Sequence, residues 1–346
     1  MNAASKPFDG EHKYIRITDI DENTSEYKED SVVSPDADID EHYRVNENDI
    51  LFARTGASTG KTYLYNPKDG KLYFAGFLIR MKVSPQNDSR FVFYQTQTPR
   101  YKKWVQIMSM RSGQPGINSQ EYSSYPIFLP KREEQERIAR LLSLIDQRIA
   151  IQNKVIEKYE SLIKALYGRL IPKDGDNHVA LGALVQICKG EQLNGEFLSD
   201  AGKYYVMNGG ITPSGYYDDY NTPAGTISIS EGGNSCGFVQ YNENPFWSGG
   251  HCYTLLQTTD ERIQYKYLYH FLKSKQDNIM ALRIGSGLPN IQKKDIGRFP
   301  VPILPPEYQR VITKLLDSVC KHIEYEQALL AELVHQKSYF LGSLFI

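Results

Sequence analysis

The chain has 346 residues, 40% hydrophobic and 23% charged, with a net charge of −1 at neutral pH. That composition fits a folded polypeptide with room for two ordinary domains, and it excludes a disordered chain or a uniformly basic nucleic-acid binder. No apolar run reaches membrane-spanning length, the polar first ten residues do not look like a signal peptide, and Cys188, Cys236, Cys252 and Cys320 form no C-x-x-C pair; reduced thiols in a cytoplasmic protein are expected.

In chain order, residues 14–17 alternate as a strand and 19–49 form an acidic, loop-rich excursion. Residues 49–53 read as a second strand running into the glycine-punctuated loop 54–61. Another strand pair is expected over 71–83 and a mixed helix over 89–110. The loop 111–117 and a Pro-bounded strand 125–129 then lead into a long helix, 130–172. The second half opens at 181–188 and continues with strands at 203–207 and 225–230. The loop 231–237, residues 247–256, a helix 265–275, the loop 283–291 and a strand 299–304 complete it before a second long helix.

Charge is unevenly spread. Residues 17–50 carry twelve Asp/Glu against Lys28 and Arg44, a balance of −10. Residues 51–130 hold eleven Lys/Arg against three acids, +8, and 261–300 hold eight against three, +5. Such segregation suggests a basic face in each globular half, suited to a polyanion.

The helix 130–172 carries two apolar seams at heptad spacing. One is Ile138, Ile145, Gln152, Tyr159 and Leu166; the other is Leu142, Ile149, Ile156, Ile163 and Leu170. Alternate steps of four and three over about five heptads mark a coiled-coil stripe. Pro130 and the acids Glu133, Glu134 and Glu136 mark its start; Gly168 and Pro172 are expected to close it. Roughly 38 residues at about 1.5 Å each make a rod on the order of 57 Å long, which needs a partner helix.

That partner lies 174 residues later, with Ile312, Val319, Glu326, Leu333 and Phe340 on one seam and Leu316, Ile323, Leu330, Lys337 and Leu344 on the other. The same offset relates Pro115 to Pro289, Ile117 to Ile291, Pro126 to Pro300 and Gln135 to Gln309. The chain is therefore an internal duplication, globule and helix twice over. The polar seam residues Gln152, Glu326 and Lys337 read as register-setting devices, with a frayed, solvated Lys337 as the alternative. Tyr14 aligns best with Tyr205, so the first half lacks about seventeen residues that the second has before that point.

Catalytic patterns fail on inspection. Residues 56–62 are one residue short of a phosphate-binding P-loop, which leaves a nucleotidase using Lys61 the weakest reading. Asn244-Pro245-Phe246 lacks the second proline and the cofactor loop of an amino-methyltransferase. Pro35-Asp36 with Asp69-Gly70-Lys71 mimics a nuclease motif only in a loop-rich acidic run. His251 and Cys252 have no third partner at metal spacing, so packing is their default role. What remains are glycine-rich loops with short polar and basic side chains, able to approach a surface closely. Arg and Lys suit guanine, Asn and Gln adenine, Ser and Thr phosphate. The DNA-binding candidates are Arg54, Ser58, Thr59, Lys61, Arg111 and Gln114, then Asn234, Ser235, Arg283, Ser286, Asn290 and Lys293. Turn geometry alone is the competing explanation for each.

The repeated joint at 125–135 and 299–309, with residues 50–61 and 286–291, resembles the specificity (S) subunit of type I restriction-modification enzymes over nearly the whole chain. The resemblance implies a mixed α/β (α+β) architecture with two target-recognition domains, 1–129 and 173–304. Two long antiparallel coiled-coil helices, 130–172 and 305–346, separate them. It implies a non-catalytic subunit that reads a bipartite asymmetric double-stranded DNA target. It further implies two methyltransferase (M) subunits binding S-adenosylmethionine, and restriction (R) subunits using ATP and Mg, with no cofactor or metal on this chain. Family members usually begin with a segment like 181–202, whose first-half counterpart is largely missing, so a shortened first domain is expected. A protein-binding coiled-coil scaffold is the alternative.

Overall fold

The computed structural model describes residues 1–110, 114–171, 178–257, 260–285, 287 and 289–345. Two compact units emerge, Met1–Asn153 with Ala328–Ile346, and Lys154–Gln327. Among the described residues no helix is long and apolar enough to cross a membrane.

In the first unit β1 (Ser5–Pro7) precedes β2 (Lys13–Ile15), and β1 pairs antiparallel with β3 (Val33–Pro35). Next come β4 (Asp49–Ala53), β5 (Thr62–Leu64), β6 (Leu72–Phe74) and β7 (Leu78–Lys82). The central strand β4 is buried along its whole length, as its unbroken apolar run requires, and lies between antiparallel β5 and β7. β6 pairs not with β7 but in parallel with β2. The helix expected over 89–110 is two helices, α1 (Ser89–Gln95) and α2 (Pro99–Met108). Asp88 caps the first, and the Thr98 hydroxyl accepts from Tyr101 N–H to restart the second with Pro99 in its first turn. The short α3 (Ser119–Ser123) precedes the long α4 (Arg132–Leu170).

The second unit starts with β8 (His178–Ala180), α5 (Leu181–Leu184) and β9 (Gln186–Lys189). β10 (Tyr204–Met207) lies between β11 (Gly215–Tyr217) and, later in the chain, β14 (Trp247–Ser248). The main sheet has the order β13 (Val239–Asn242), β12 (Thr226–Ser230), β15 (Cys252–Leu256), β9. Three short helices follow, α6 (Tyr265–Ser274), α7 (Gln276–Met280) and α8 (Lys293–Gly297). Then β16 (Pro300–Pro302), antiparallel to β8, leads into α9 (Pro306–Ser343).

The long helices are shared between the units, and each unit pairs opposite ends of them. In the first, Leu142 and Ile138 of α4 join Leu341 and Phe340 of α9 in one apolar cluster. In the second, Ile163, Leu166 and Leu170 pack with Ile312 and Leu316. The helices therefore run antiparallel in both. Along the seams Leu142, Ile156, Ile312, Leu316 and Val319 are buried, while Ile138, Ile145, Ile149, Ile163, Ile323, Leu330 and Leu333 are half-buried. Gln152 is buried in its seam. Lys337 is not frayed; it binds Asp146 at 2.7 Å and donates to Gln97 at 3.2 Å.

One glutamine fastens each long helix to its globule. Gln135 accepts from Asp88 N–H (3.0 Å) and donates to Pro130 O (2.8 Å) and Asn87 Oδ1 (3.0 Å). Gln309 accepts from Gln264 N–H (2.7 Å) and donates to Leu304 O (2.7 Å) and Arg262 O (2.8 Å). Asp88 and Gln264 are the N-cap positions of α1 and α6, so the long helix starts where the globular helix starts. A second tie comes from Tyr94 on α1, whose hydroxyl donates to Asp146 at 2.7 Å. In the second unit buried His270 on α6 meets Asp317 at 2.8 Å and Tyr167 at 3.4 Å.

Two expectations are corrected. α4 runs through Gly168 to Leu170, so that glycine does not end the helix, and Pro172 lies outside the described residues. Residues 125–129 form no strand, although their counterparts make β16. The reason is the partner: β16 pairs with β8, and the first unit has no segment equivalent to β8, α5 and β9. Ile127 and Phe128 stand 37% and 72% exposed, where Val301 and Pro302 are buried.

Replacing Gln309 by Ala leaves the half-buried Gln264 N–H and two carbonyls without their partner and is expected to cost about 1–3 kcal/mol in urea unfolding. Burial holds the His270 imidazole below its ordinary 6.5, against the pull of Asp317. The unfolded chain thus takes up this proton first as pH falls. The stabilisation from neutral His270 is complete above pH 6.5 and lost as pH falls through the lower folded value. His270→Gln is expected to flatten that acid limb in urea midpoints measured against pH.

Candidate nucleic-acid interface

In the first unit the loop after β4 and the loop before α3, some sixty residues apart in sequence, are stitched together by backbone bonds. Gly56 N–H donates to Pro115 O (2.9 Å), Ile117 N–H donates to Arg54 O (2.9 Å), and Thr55 bridges Gly116. Gly60 N–H turns back to Ala53 O at 3.0 Å. The second unit repeats the pattern. Gly233 N–H donates to Pro289 O (3.0 Å), Ile291 N–H to Glu231 O (2.9 Å), Gly237 N–H to Ser230 O (2.8 Å), and Gly232 bridges Asn290. The glycines explain the choice of residue: φ is +70° and +91° at Gly56 and Gly60, and +74° and +90° at Gly233 and Gly237. The two loops superpose in role at an offset of 177, so Arg54 corresponds to Glu231, Ser58 to Ser235 and Lys61 to Phe238.

This pairing brings Arg54 beside Gln114, both exposed, with the Gln114 amide next to Gly56. It also brings exposed Asn234 to the strand-like segment carrying exposed Asn290; Arg283 and Lys293 are exposed nearby in the chain. Ser58 and Ser235 are half-buried. Arg111 and Ser286 lie outside the described residues. The Thr59 hydroxyl is committed to the loop itself, donating to Gly56 O at 2.7 Å. Lys61 faces Glu22 at 3.8 Å. Residues 56–58 make a single 3-10 turn, too short to present the converging N–H groups of a phosphate loop.

The basic stretch 51–130 is partly neutralised within its own unit. Lys61, Lys71, Arg80 and Arg90 pair with Glu22, Glu11, Asp49 and Asp88. Arg54, Arg100, Lys102 and Lys103 remain exposed, the last three on α2. Among the described residues no group of three His, Cys, Asp or Glu is arranged to hold a metal ion.

Sequence reasoning missed Glu231. It is buried, and its Oε1 accepts from Lys189 Nζ (2.7 Å) and the Tyr253 hydroxyl (2.8 Å). Burial, then the bond to Glu231, raises the Tyr253 phenol far above its usual range, so it stays a donor. The signal was present, since Arg54 and Glu231 occupy equal places before their glycines. The offset there is 177 rather than 174, which hides the match.

A family model described as the type I restriction modification DNA specificity domain matches residues 1–161 and again 174–335. A putative type I specificity subunit of Mycoplasma pneumoniae is 36% identical over 146 residues, 42% of this chain and 39% of that protein. Another from Mycoplasma genitalium is 31% identical over 164 residues, 45% and 43% respectively. The matched stretch thus spans less than half the length of these relatives. Among solved structures, the S subunit of a type I restriction-modification system from M. genitalium has a TM-score of 0.71 at 20% identity, covering 100% of this chain and 93% of that one. A structure described under complex assembly and conformational transition of the type I system has a TM-score of 0.57 at 16% identity, covering 99% and 94%. At these identities the structural likeness is one of fold.

A Cβ on Gly237 would meet the Met280 backbone at 2.8 Å, with φ at +90°, whereas Gly70 at +76° has open space around it. Gly237→Ala is therefore expected to cost about 3 kcal/mol and Gly70→Ala about 1 kcal/mol in equilibrium unfolding.

Proposed function

The chain belongs to the family of type I restriction modification DNA specificity domains, and on that footing we propose that it is the non-catalytic recognition subunit of a type I complex, reading a bipartite, asymmetric duplex target. The observation that carries this reading is the repeated loop joint. One backbone frame occurs in both units but presents Arg54 and Gln114 in the first, and Asn234 and Asn290 in the second. Two equal frames bearing different donors and acceptors suit two different half-sequences. Exposed cations supply salt-sensitive affinity, and a bidentate base contact supplies roughly 1–3 kcal/mol of discrimination. Arg54, Ser58, Thr59, Lys61, Arg111 and Gln114 in one half, and Asn234, Ser235, Arg283, Ser286, Asn290 and Lys293 in the other, are the proposed contacts. The antiparallel helices act as the spacer between half-sites.

Apolar side chains outside the seams support docking of partner proteins on the helices. Leu144, Ile151, Val334 and Tyr339 in the first unit, and Val311 and Tyr325 in the second, are half or more exposed. Two methyltransferase subunits carrying S-adenosylmethionine are the proposed occupants, with ATP-driven restriction subunits joining through the complex and no cofactor held by this chain.

Retention of the full chain on heparin or duplex DNA is expected to fall steeply with salt; absent or salt-insensitive retention would favour a protein-binding scaffold and overturn the proposal. Inserting four residues at Gln152 is expected to change the number of unread base pairs and leave both half-sequences intact. Mapping methylated adenines in cells that carry the chain with its methyltransferase partner reads this out, and an altered half-sequence contradicts it.

A further inference from the structure

The equivalence of Arg54 and Glu231 poses a problem. Where the first unit presents an exposed cation beside its glycine loop, the second has a carboxylate, which repels DNA. The surroundings reverse that sign. Lys189 Nζ donates to Glu231 Oε1 at 2.7 Å, and its side chain is still 53% exposed, leaving donors free. The Tyr253 hydroxyl fills the same oxygen at 2.8 Å. The other oxygen, Oε2, is buried and has no hydrogen-bond partner among the described residues. His251 lies close to it, with Nδ1 3.6 Å away and a side chain 64% exposed.

A buried carboxylate oxygen without a donor is costly, and it has one obvious way to be satisfied. A small ring movement lets Nδ1–H donate to Oε2, and Nε2 then points outward. The backbone is set for this: His251 N–H donates to Asn208 Oδ1 (3.1 Å), and Glu231 N–H donates to His251 O (2.9 Å). A Cβ on Gly209 would meet the His251 Cβ and carbonyl oxygen at 3.1 Å, so this glycine lets the His251 backbone approach closely. Other titratable groups near this cluster include Cys236, Cys252 and Arg283: Cys236 Sγ donates to Glu231 O (3.0 Å), Arg283 and Glu231 both act on the Cys236 thiol through charge, and Glu231 acts on the Cys252 thiol as well.

We propose that Glu231 is the buried anchor of a two-donor clamp, Lys189 and His251, that grips a DNA backbone phosphate in the second unit, the counterpart of Arg54 in the first. The inference rests on the DNA-recognition reading above and names residues for it. Glu231 never touches DNA. It is a positioning residue, holding Lys189 by hydrogen bond and, in the doubly protonated imidazolium form, taking the His251 Nδ1–H so that Nε2–H is offered outward. A phosphate contact carries no sequence information, so a random-sequence duplex is sufficient as probe.

The test measures binding of the full chain to a fluorescein-labelled 30-bp duplex of random sequence by anisotropy, as a function of salt. Lys189→Met and His251→Ala are each expected to weaken binding about 3- to 10-fold and to lower the slope of log affinity against log salt by about 0.9. His251→Arg is expected to restore binding. Glu231→Gln decides between anchoring and mere charge: the clamp predicts weaker binding, although a negative charge has been removed. Tighter or unchanged binding by a folded Glu231→Gln chain overturns the proposal, as do unchanged salt slopes in the two exposed variants, which do not depend on a core substitution being tolerated. If the unmodified chain itself fails to bind duplex DNA, the recognition reading falls as well; if it binds and the variants match it, only this inference falls.

Discussion

A helix of 39 residues with an apolar stripe along its length cannot be stable alone in water, and most of this architecture follows from how the stripe is covered. The cover within each unit is a stretch of a second helix of 38 residues, running the other way, together with that unit's own globule. Each core therefore mixes seam residues with sheet and short-helix residues. Leu142 and Leu341 sit with Phe52 and Val92 in the first, Ile312 and Leu316 with Ile227 and Leu268 in the second. Polar ties at the joints fix angle and register, which apolar packing leaves loosely specified. Gln135 and Gln309 do this with side-chain bonds to three backbone or amide groups each, all of them buried or half-buried.

The glycine loops follow a different rule. Their main-chain bonds are nearly the same in both units, because they depend on glycine φ values and on a proline carbonyl in the facing loop. Their side chains owe nothing to that frame. Arg54 against Glu231 and Lys61 against Phe238 are chemically opposite residues in equal backbone positions. A frame that holds without its side chains is free to change what it presents.

Much of this was legible in the sequence because the seams obey a strict period and because 174 is a single number. The two long helices, their need of each other and the duplicated globules follow from Ile138 to Leu170 and from their shifted copies, whereas the antiparallel direction came from the family resemblance and the pairing of the glycine loops shows only in the fold. Local propensity misled at 125–129, where the residues suit a strand but the strand they would pair with is missing; pairing is a tertiary fact. It also misled at Gly168, since an exposed glycine with helical neighbours on both sides is carried along at modest cost. The Glu231 cluster was hidden because Lys189 and Tyr253 on strands, and Glu231 and His251 just beyond strand ends, meet only in the folded sheet.

One unit is a continuous stretch of chain and the other is not: the first globule requires Ala328–Ile346 in addition to Met1–Asn153. On a ribosome, then, the middle of the polypeptide can finish before the beginning does. At about 5–20 residues per second, the opening portion waits on the order of 10–40 seconds for its closing helix to emerge. During that interval Phe91, Leu142 and their neighbours lack Leu341 and Phe345, leaving apolar surface open to nascent-chain chaperones.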